Sequence, residues 1–145
     1  AVLFPERTVY WLAHMSRRSL LAVIFILSGA IAATHLIAFE YSLYWVFSWL
    51  DSAVHFTSGV LVALGTLWVL FLSRYVSPRE ETIRSAVLWS LAAGLIFGIS
   101  WEIFEVVAGV PMEDSYVLDT VLDLAMDTAG ALTASVVYAR GRLLS

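Results

Sequence analysis

The sequence predicts an all-α integral membrane protein, a bundle of four transmembrane helices with both termini in the cytoplasm. First, 61% of its 145 residues are hydrophobic and only 14% are charged, whereas soluble domains carry about 25% charged residues. Second, four apolar runs each reach the roughly 20 residues that a helix needs to cross a bilayer. Third, every basic residue lies at the same predicted side of those runs. The lipid bilayer is therefore the expected environment.

The first two spans are expected at residues 19–39 and 51–74, within a single transmembrane domain that covers residues 1–145. The first apolar run lacks a small-x-small cleavage site, so we interpret it as a span and not as a cleaved signal peptide. The second run carries acidic interruptions near its start. Residues 1–16 are compatible with an interfacial segment that uses Tyr10 and Trp11.

The third and fourth spans are expected at residues 84–107 and 117–139. A capping box with proline at the first helical position, Ser77-Pro78-Arg79-Glu80, predicts that the third helix begins on the arginine-bearing side. The third run has its acidic residues near its end and the fourth has them near its start. The acids of both spans therefore lie toward the side that carries no arginine.

The arginines predict the orientation of the bundle. They precede the first span, separate the second from the third, and follow the fourth, at positions Arg7, Arg17, Arg18, Arg74, Arg79, Arg84, Arg140 and Arg142. The other two loops contain no basic residue. Because cytoplasmic loops of membrane proteins are enriched in Lys and Arg, the sequence predicts an N-in, C-in topology.

Counting from those arginines gives a depth for each ionisable residue within a span. His35, His55, Glu102 and Asp123 each lie 17 to 19 positions from an arginine at the cytoplasmic end of their own span. At about 1.5 Å per residue, that places all four roughly 26–28 Å from the arginines. Such a depth is just inside the outer edge of a hydrocarbon core about 30 Å thick. Each helix thus brings one ionisable residue to a common level.

A second set of acids lies on the same helix faces. Asp51 precedes His55 by four residues, Glu105 follows Glu102 by three, and Asp119, Asp123 and Asp127 follow one another at intervals of four. Residues three or four apart share one face of a helix. Charged stripes that faced lipid would be costly, so we expect these faces to turn toward one another.

Clustered carboxylates without a neighbouring Lys or Arg must share protons or bind a cation. With imidazoles nearby, a divalent metal ion such as Zn, Mn, Fe or Mg is the preferred interpretation. The predicted ligands are Asp51, His55, Glu102, Glu105, Asp119 and Asp123, with His35 and Asp127 as additional candidates. Shared protons and solvated helix ends are the alternatives, and the helix dipole alone would favour acids at the start of a helix, as at Asp51 and Asp119.

Three motifs resemble those of a known family. Asp51-x-x-x-His55-Phe56-x-x-Gly59, Trp101-Glu102-x-x-Glu105, and Asp119-Thr120-x-x-Asp123-x-x-x-Asp127-x-x-Gly130 resemble the YjdF-like small bacterial inner-membrane proteins and, more distantly, the VanZ-like proteins. Glu and Asp stand here where the VanZ-like pattern has Gln and Asn, which makes this site more acidic. The resemblance implies a multi-pass protein of the bacterial inner (cytoplasmic) membrane, and neither family supplies a settled activity.

Three functions are compatible with these patterns. A metal-dependent enzyme on a lipid or envelope substrate would use Glu102 or Glu105 as general base, although no established hydrolase signature is present. A cation- or proton-handling protein would use the same acids for a pathway. An accessory subunit would contact other membrane proteins or a second copy of itself. No nucleic-acid partner is expected.

Overall fold

The computed structural model describes residues 15–76, 81–110 and 116–143, and all regular structure within those ranges is helical. In chain order, the helices are α1 (Arg17–Glu40), the short α2 (Leu43–Val46), α3 (Trp49–Leu67), α4 (Ile83–Ala108) and α5 (Tyr116–Leu143). A π-helical turn, Trp68–Leu72, continues α3. Within these ranges, four helices are long and apolar enough to cross a membrane, as predicted. The predicted interfacial segment at 1–16 lies almost wholly outside the described residues.

Side-chain caps define where two of the spans begin. The Ser16 hydroxyl accepts a hydrogen bond from the Ser19 amide at the start of α1, and Thr82 caps the Ser85 amide in the same way at the start of α4. Each cap satisfies an amide that has no partner within its helix. The capping box expected at residues 77–80 lies outside the described residues, and Thr82 provides the cap of α4. At its other end, α4 stops at Gly109, whose φ of +68° suits a residue without a side chain.

Contacts between helix ends show that α1 runs antiparallel to α3, and α4 antiparallel to α5. Near the arginine-bearing end, the Trp68 indole donates a hydrogen bond to the Arg17 carbonyl oxygen, and the Tyr138 hydroxyl donates to the Glu81 carboxylate. A core of small and aliphatic residues, including Leu20, Leu67 and Ala86, fills the bundle near that end. The acidic residues lie toward the other end.

The closest pair of helices is α3 and α5, and two glycines explain the approach. A Cβ atom at Gly59 would overlap the Asp127 carbonyl oxygen, and one at Gly130 would overlap the Phe56 carbonyl oxygen. Small residues at such reciprocal positions let two helix backbones touch within a membrane. The crossing therefore requires glycine at both positions, and it fixes the register of α3 against α5.

Helix α1 is packed much more loosely than α3 or α5. Leu20 and Ala38 are its only buried residues, while Phe25, Ile26 and Leu36 are at least 70% exposed. It packs against α3, whereas no Cα pair of α1 with α4 or α5 comes within 8 Å in the described part of the chain. Its apolar surface is thus available to lipid, the environment that membrane-spanning helices imply.

Candidate metal centre

The imidazole of His55 is the centre of the acidic cluster. It is 6% exposed, and three aspartates surround it. Its Nε2 lies 3.9 Å from an Asp51 carboxylate oxygen, one turn earlier on α3, and 3.9 Å from an Asp123 oxygen on α5. Its Nδ1 lies 3.3 Å from Asp127 Oδ2, within hydrogen-bonding distance. The two ring nitrogens therefore face different partners.

The glycine crossing explains why these residues meet. His55 lies one turn before Gly59, and Asp127 supplies the carbonyl oxygen that touches Gly59. Asp123 lies one turn before Asp127 on the same face of α5. Close backbone contact at the glycines therefore brings the side chains of that face against His55, on the side of the crossing away from the arginines.

Asp51, His55 and Asp123 form a group that could hold a metal ion. Each offers one donor atom, and the three atoms lie within 4.8 Å of one another. The 3.9 Å separations are shorter than two metal–ligand bonds end to end, about 4.2 Å for zinc with N and O donors, so one ion could contact both partners. Two carboxylates and one imidazole suit Zn, Mn or Fe, and Mg less well. Three protein ligands would leave a four-coordinate ion one position for water or substrate.

Asp127 is placed to orient His55. Its carboxylate is 5% exposed and packs so closely over Gly98 of α4 that a Cβ there would lie 2.6 Å from Oδ2. When Nδ1–H donates to this carboxylate, the lone pair of Nε2 faces Asp51 and Asp123. Metal-binding histidines commonly have such a carboxylate on the second nitrogen.

The predicted pair Glu102 and Glu105 lies on α4 with two different environments. Glu102 is 6% exposed, and its Oε2 accepts a 2.6 Å hydrogen bond from the Thr120 hydroxyl of α5. Its other oxygen, Oε1, is buried without a hydrogen-bond partner among the described residues. Glu105 is half-buried, and its Oε1 accepts a hydrogen bond from the Trp101 indole at 2.9 Å. Only one of the two Glu102 carboxylate oxygens therefore has a hydrogen-bond donor among the described residues.

His35 lies apart from the three-residue metal group. Its Nδ1 is 2.8 Å from the Tyr44 hydroxyl on α2, and its ring meets the Trp101 ring edge-on, with centroids 5.3 Å apart. Burial and, to a smaller extent, the carboxylates of Asp51 and Glu105 raise the pKa of Tyr44 to about 12. Tyr44 therefore stays a neutral phenol near pH 7, and its hydroxyl can donate a hydrogen bond to His35.

Two cavities adjoin the candidate centre. One, of about 280 Å³, lies at the end away from the arginines and is lined by Asp51, Asp119 and Asp123 together with Glu105. Asp119 thus shares this cavity with two members of the metal group, while the group itself does not include it. The other cavity, of about 440 Å³, lies deeper and is lined by His55, Asp51 and Asp127. His35 lines both cavities.

Depth counting did not identify several residues that shape this site. It placed Asp127 deeper than the other acids, 13 residues from Arg140, but it did not show that this carboxylate faces His55, and it gave no role to Thr120 or Tyr44. The glycines were visible as the last residues of two motifs. Their position one turn after His55 and three residues after Asp127 was the available signal of a close helix crossing.

The chain belongs to the family described as "Predicted membrane protein (DUF2238)", whose model matches residues 7–142. The match spans all four candidate membrane helices and is consistent with the YjdF-like resemblance. The resemblance to VanZ-like proteins remains a prediction. No curated protein and no solved structure matches the chain significantly.

Proposed function

We propose that this protein is a membrane-embedded, divalent-metal-dependent enzyme that acts on a lipid or envelope-associated substrate. The observation that carries the proposal is the group of donor atoms from Asp51, His55 and Asp123, all within 4.8 Å of one another. Catalytic metal sites commonly have three protein ligands and one position for water or substrate. The adjoining cavities give that position access to small molecules.

The charges around His55 favour a bound cation. Three aspartates face one imidazole, and no Lys or Arg is paired with this cluster in the described residues. In a low-dielectric environment, ionised carboxylates so close together repel one another unless a positive charge or a proton compensates them. A protonated His55 would compensate one of them, whereas a divalent ion would compensate two.

Each residue then has a role that its contacts support. Asp51, His55 and Asp123 hold the ion, which would supply Lewis acidity and lower the pKa of water. Asp127 orients His55 and leaves Nε2 free to bind. Glu102 is the proposed proton acceptor, because Thr120 fixes one of its oxygens and leaves the other without a partner.

We further propose that the site faces the outer side of a bacterial inner membrane. The arginines that begin α1 and α4 and end α5 lie at the opposite end of the bundle from His55. The positive-inside rule puts that arginine-bearing end in the cytoplasm. A substrate would then approach from the envelope side or from within the bilayer.

A continuous ion or proton pathway has less support. Toward the arginine-bearing end, Thr66 and Ser135 each donate a hydrogen bond to a carbonyl oxygen of their own helix. Ser90 is fully buried. Thr66 and Ser135 are thus satisfied within their own helices, and the Ser90 hydroxyl has no hydrogen-bond partner among the described residues. These hydroxyls do not form a chain of polar groups across the bundle in the described residues, so the enzyme proposal fits the site better than a transport proposal.

The metal content of the purified protein tests this proposal. We expect the wild-type protein, purified in detergent without chelator, to retain one divalent ion per chain by mass-spectrometric metal analysis. His55→Gln and Asp123→Asn should lose it, because each removes a ligand. Glu40→Gln, an exposed acid at the end of α1, is the matched control and should keep it.

Two results would overturn the proposal. One is a wild-type protein that stays free of metal after incubation with excess Zn, Mn and Fe salts. The other is stoichiometric metal in both ligand variants, which would put the ion elsewhere. Circular dichroism of each variant should match the wild type, so that a loss of metal is not a loss of fold.

A further inference from the structure

The deeper cavity, of about 440 Å³, has a chemical asymmetry along its length. Helices α1, α3 and α4 and the residue Asp127 of α5 line it, and on α1 its lining residues follow one stripe, Ser28, Ile31, Ala32, His35 and Leu36. Its ionisable lining residues, His35, Asp51, His55 and Asp127, lie toward the metal group. Apolar side chains line much of the remainder, including Ile31, Leu61 and Val62. Its volume is within the range of about 300–1,000 Å³ typical of small-ligand sites.

One side of this cavity opens between α1 and α4. Leu36 of α1 and Phe97 of α4 both line it, yet they are 70% and 62% exposed. The described parts of these two helices have no Cα pair within 8 Å. The ring contact between His35 and Trp101 bridges the gap at the polar end. The opening is therefore lateral, in the surface that apolar side chains expose to the bilayer.

We infer that this cavity binds the apolar chain of a single lipid, which enters from the bilayer between α1 and α4 with its oxygen-bearing head group toward His55. Acyl or isoprenyl chains are the molecules that a lateral opening at this depth meets. Water would find few polar partners along the apolar part, and apolar cavities generally stay dry. The inference deepens the proposed function, on which its assignment of the head group to the metal centre rests.

The polar end of the cavity suits a head group that carries oxygen atoms. His55 and Asp51 line the cavity and also belong to the metal group. A head-group oxygen at that end would therefore adjoin the open coordination position. The arginines lie at the other end of the bundle, so the head group must be recognised by the ion and by His35 and not by guanidinium groups.

A photoactivatable fatty acid tests the inference directly. The wild-type protein, in phosphatidylcholine nanodiscs, is illuminated with a diazirine-bearing hexadecanoic acid whose reactive group lies midway along the chain. We expect the label on peptides that contain the cavity residues Ile31, Val62 and Phe97. Excess unlabelled hexadecanoic acid should reduce that labelling, because the site holds one chain.

Neighbouring alanines on α1 provide a matched pair of variants. Ala32 lines the cavity and Ala33 does not, although both are exposed on α1. Ala32→Phe should fill the space and lose most of the competable label. Ala33→Phe adds the same ring to the same helix and should label as the wild type does.

The outcomes separate this inference from the metal proposal. Equal labelling of the two alanine variants, label that excess fatty acid does not displace, or label confined to residues outside the cavity would each overturn the chain-binding site. If Ala32→Phe instead retains its metal and loses its label, the pocket is confirmed independently of the ligands. Labelling that persists in His55→Gln, while that variant lacks metal, would also support the pocket, because the apolar wall binds the chain.

Discussion

Replacement of Asp127 tests the central geometric argument, that one carboxylate orients His55 for metal binding. Asp127 accepts a hydrogen bond from Nδ1 at 3.3 Å and does not belong to the three-residue metal group. Loss of such an orienting partner typically lowers metal affinity by about 10- to 100-fold, or about 1.4–2.7 kcal/mol. Because 3.3 Å is long for an N–H···O bond, we expect the lower end of that range for Asp127→Asn, whose amide oxygen still accepts.

The assay is a competition titration of the purified protein with a chelator of known affinity. Asp127→Asn should bind one ion about tenfold more weakly than the wild type, and Asp127→Ala should approach a hundredfold loss because it removes the acceptor altogether. Nitrogen NMR of His55 should report metal at Nε2 and a proton at Nδ1 in the wild type, with the proton no longer fixed in the alanine variant. Wild-type affinity in both variants would refute the orienting role.

The remaining predictions concern packing, a buried acid and alkaline stability. Gly59→Ala should destabilise the protein by about 1–3 kcal/mol in thermal melts and weaken metal binding, because its Cβ would meet the α5 backbone. A Cβ at Gly65 would have no atom within 4 Å, so the control Gly65→Ala should change neither the stability nor the metal affinity. Thr120→Val should lower the free energy of unfolding by about 1–3 kcal/mol, because it leaves both Glu102 oxygens without a protein donor. Thr120→Ser keeps the hydroxyl and should restore the hydrogen bond. A serine variant as unstable as the valine variant would contradict this reasoning. Folded Tyr44 has a pKa of about 12, above its usual 10.0, so its contribution to stability is complete below pH 10 and is lost as the pH rises toward 12. Tyr44→Phe should weaken this alkaline decline in denaturant titrations, and an unchanged decline would show that the phenol does not contribute to it.

The number of spans could be predicted because the bilayer imposes one length on every crossing helix. Runs of about 20 apolar residues are uncommon outside membrane-spanning helices, so hydropathy alone predicted four such helices. The described part of the structure confirms them. Local starts were less predictable. The sequence around residues 77–80 has the composition of a cap, but Thr82 also precedes the apolar run of the third span, and its hydroxyl caps α4.

The sequence predicts how deep each candidate site residue lies along its helix, but not the direction in which its side chain points around the helix axis. Counting from the arginines gave each ionisable residue a depth in the membrane. It placed four of them at one common level: His35, His55, Glu102 and Asp123. Rotation about a helix axis and the distance between helices do not follow from such a count. The glycine contacts bring α3 and α5 together at His55, while the loose packing of α1 leaves His35 bonded to Tyr44.

The depth of Asp127 has a physical reason that connects the fold to the proposed chemistry. Its carbonyl oxygen touches Gly59, and its carboxylate packs over Gly98 while it faces Nδ1 of His55. A buried acid is costly without a partner, so this residue is stable there only while α3, α4 and α5 keep this arrangement. The same carboxylate lines the cavity that opens toward lipid. A chain bound in that cavity would therefore contact the group that orients the metal ligand, and occupancy of the one site should alter the affinity of the other.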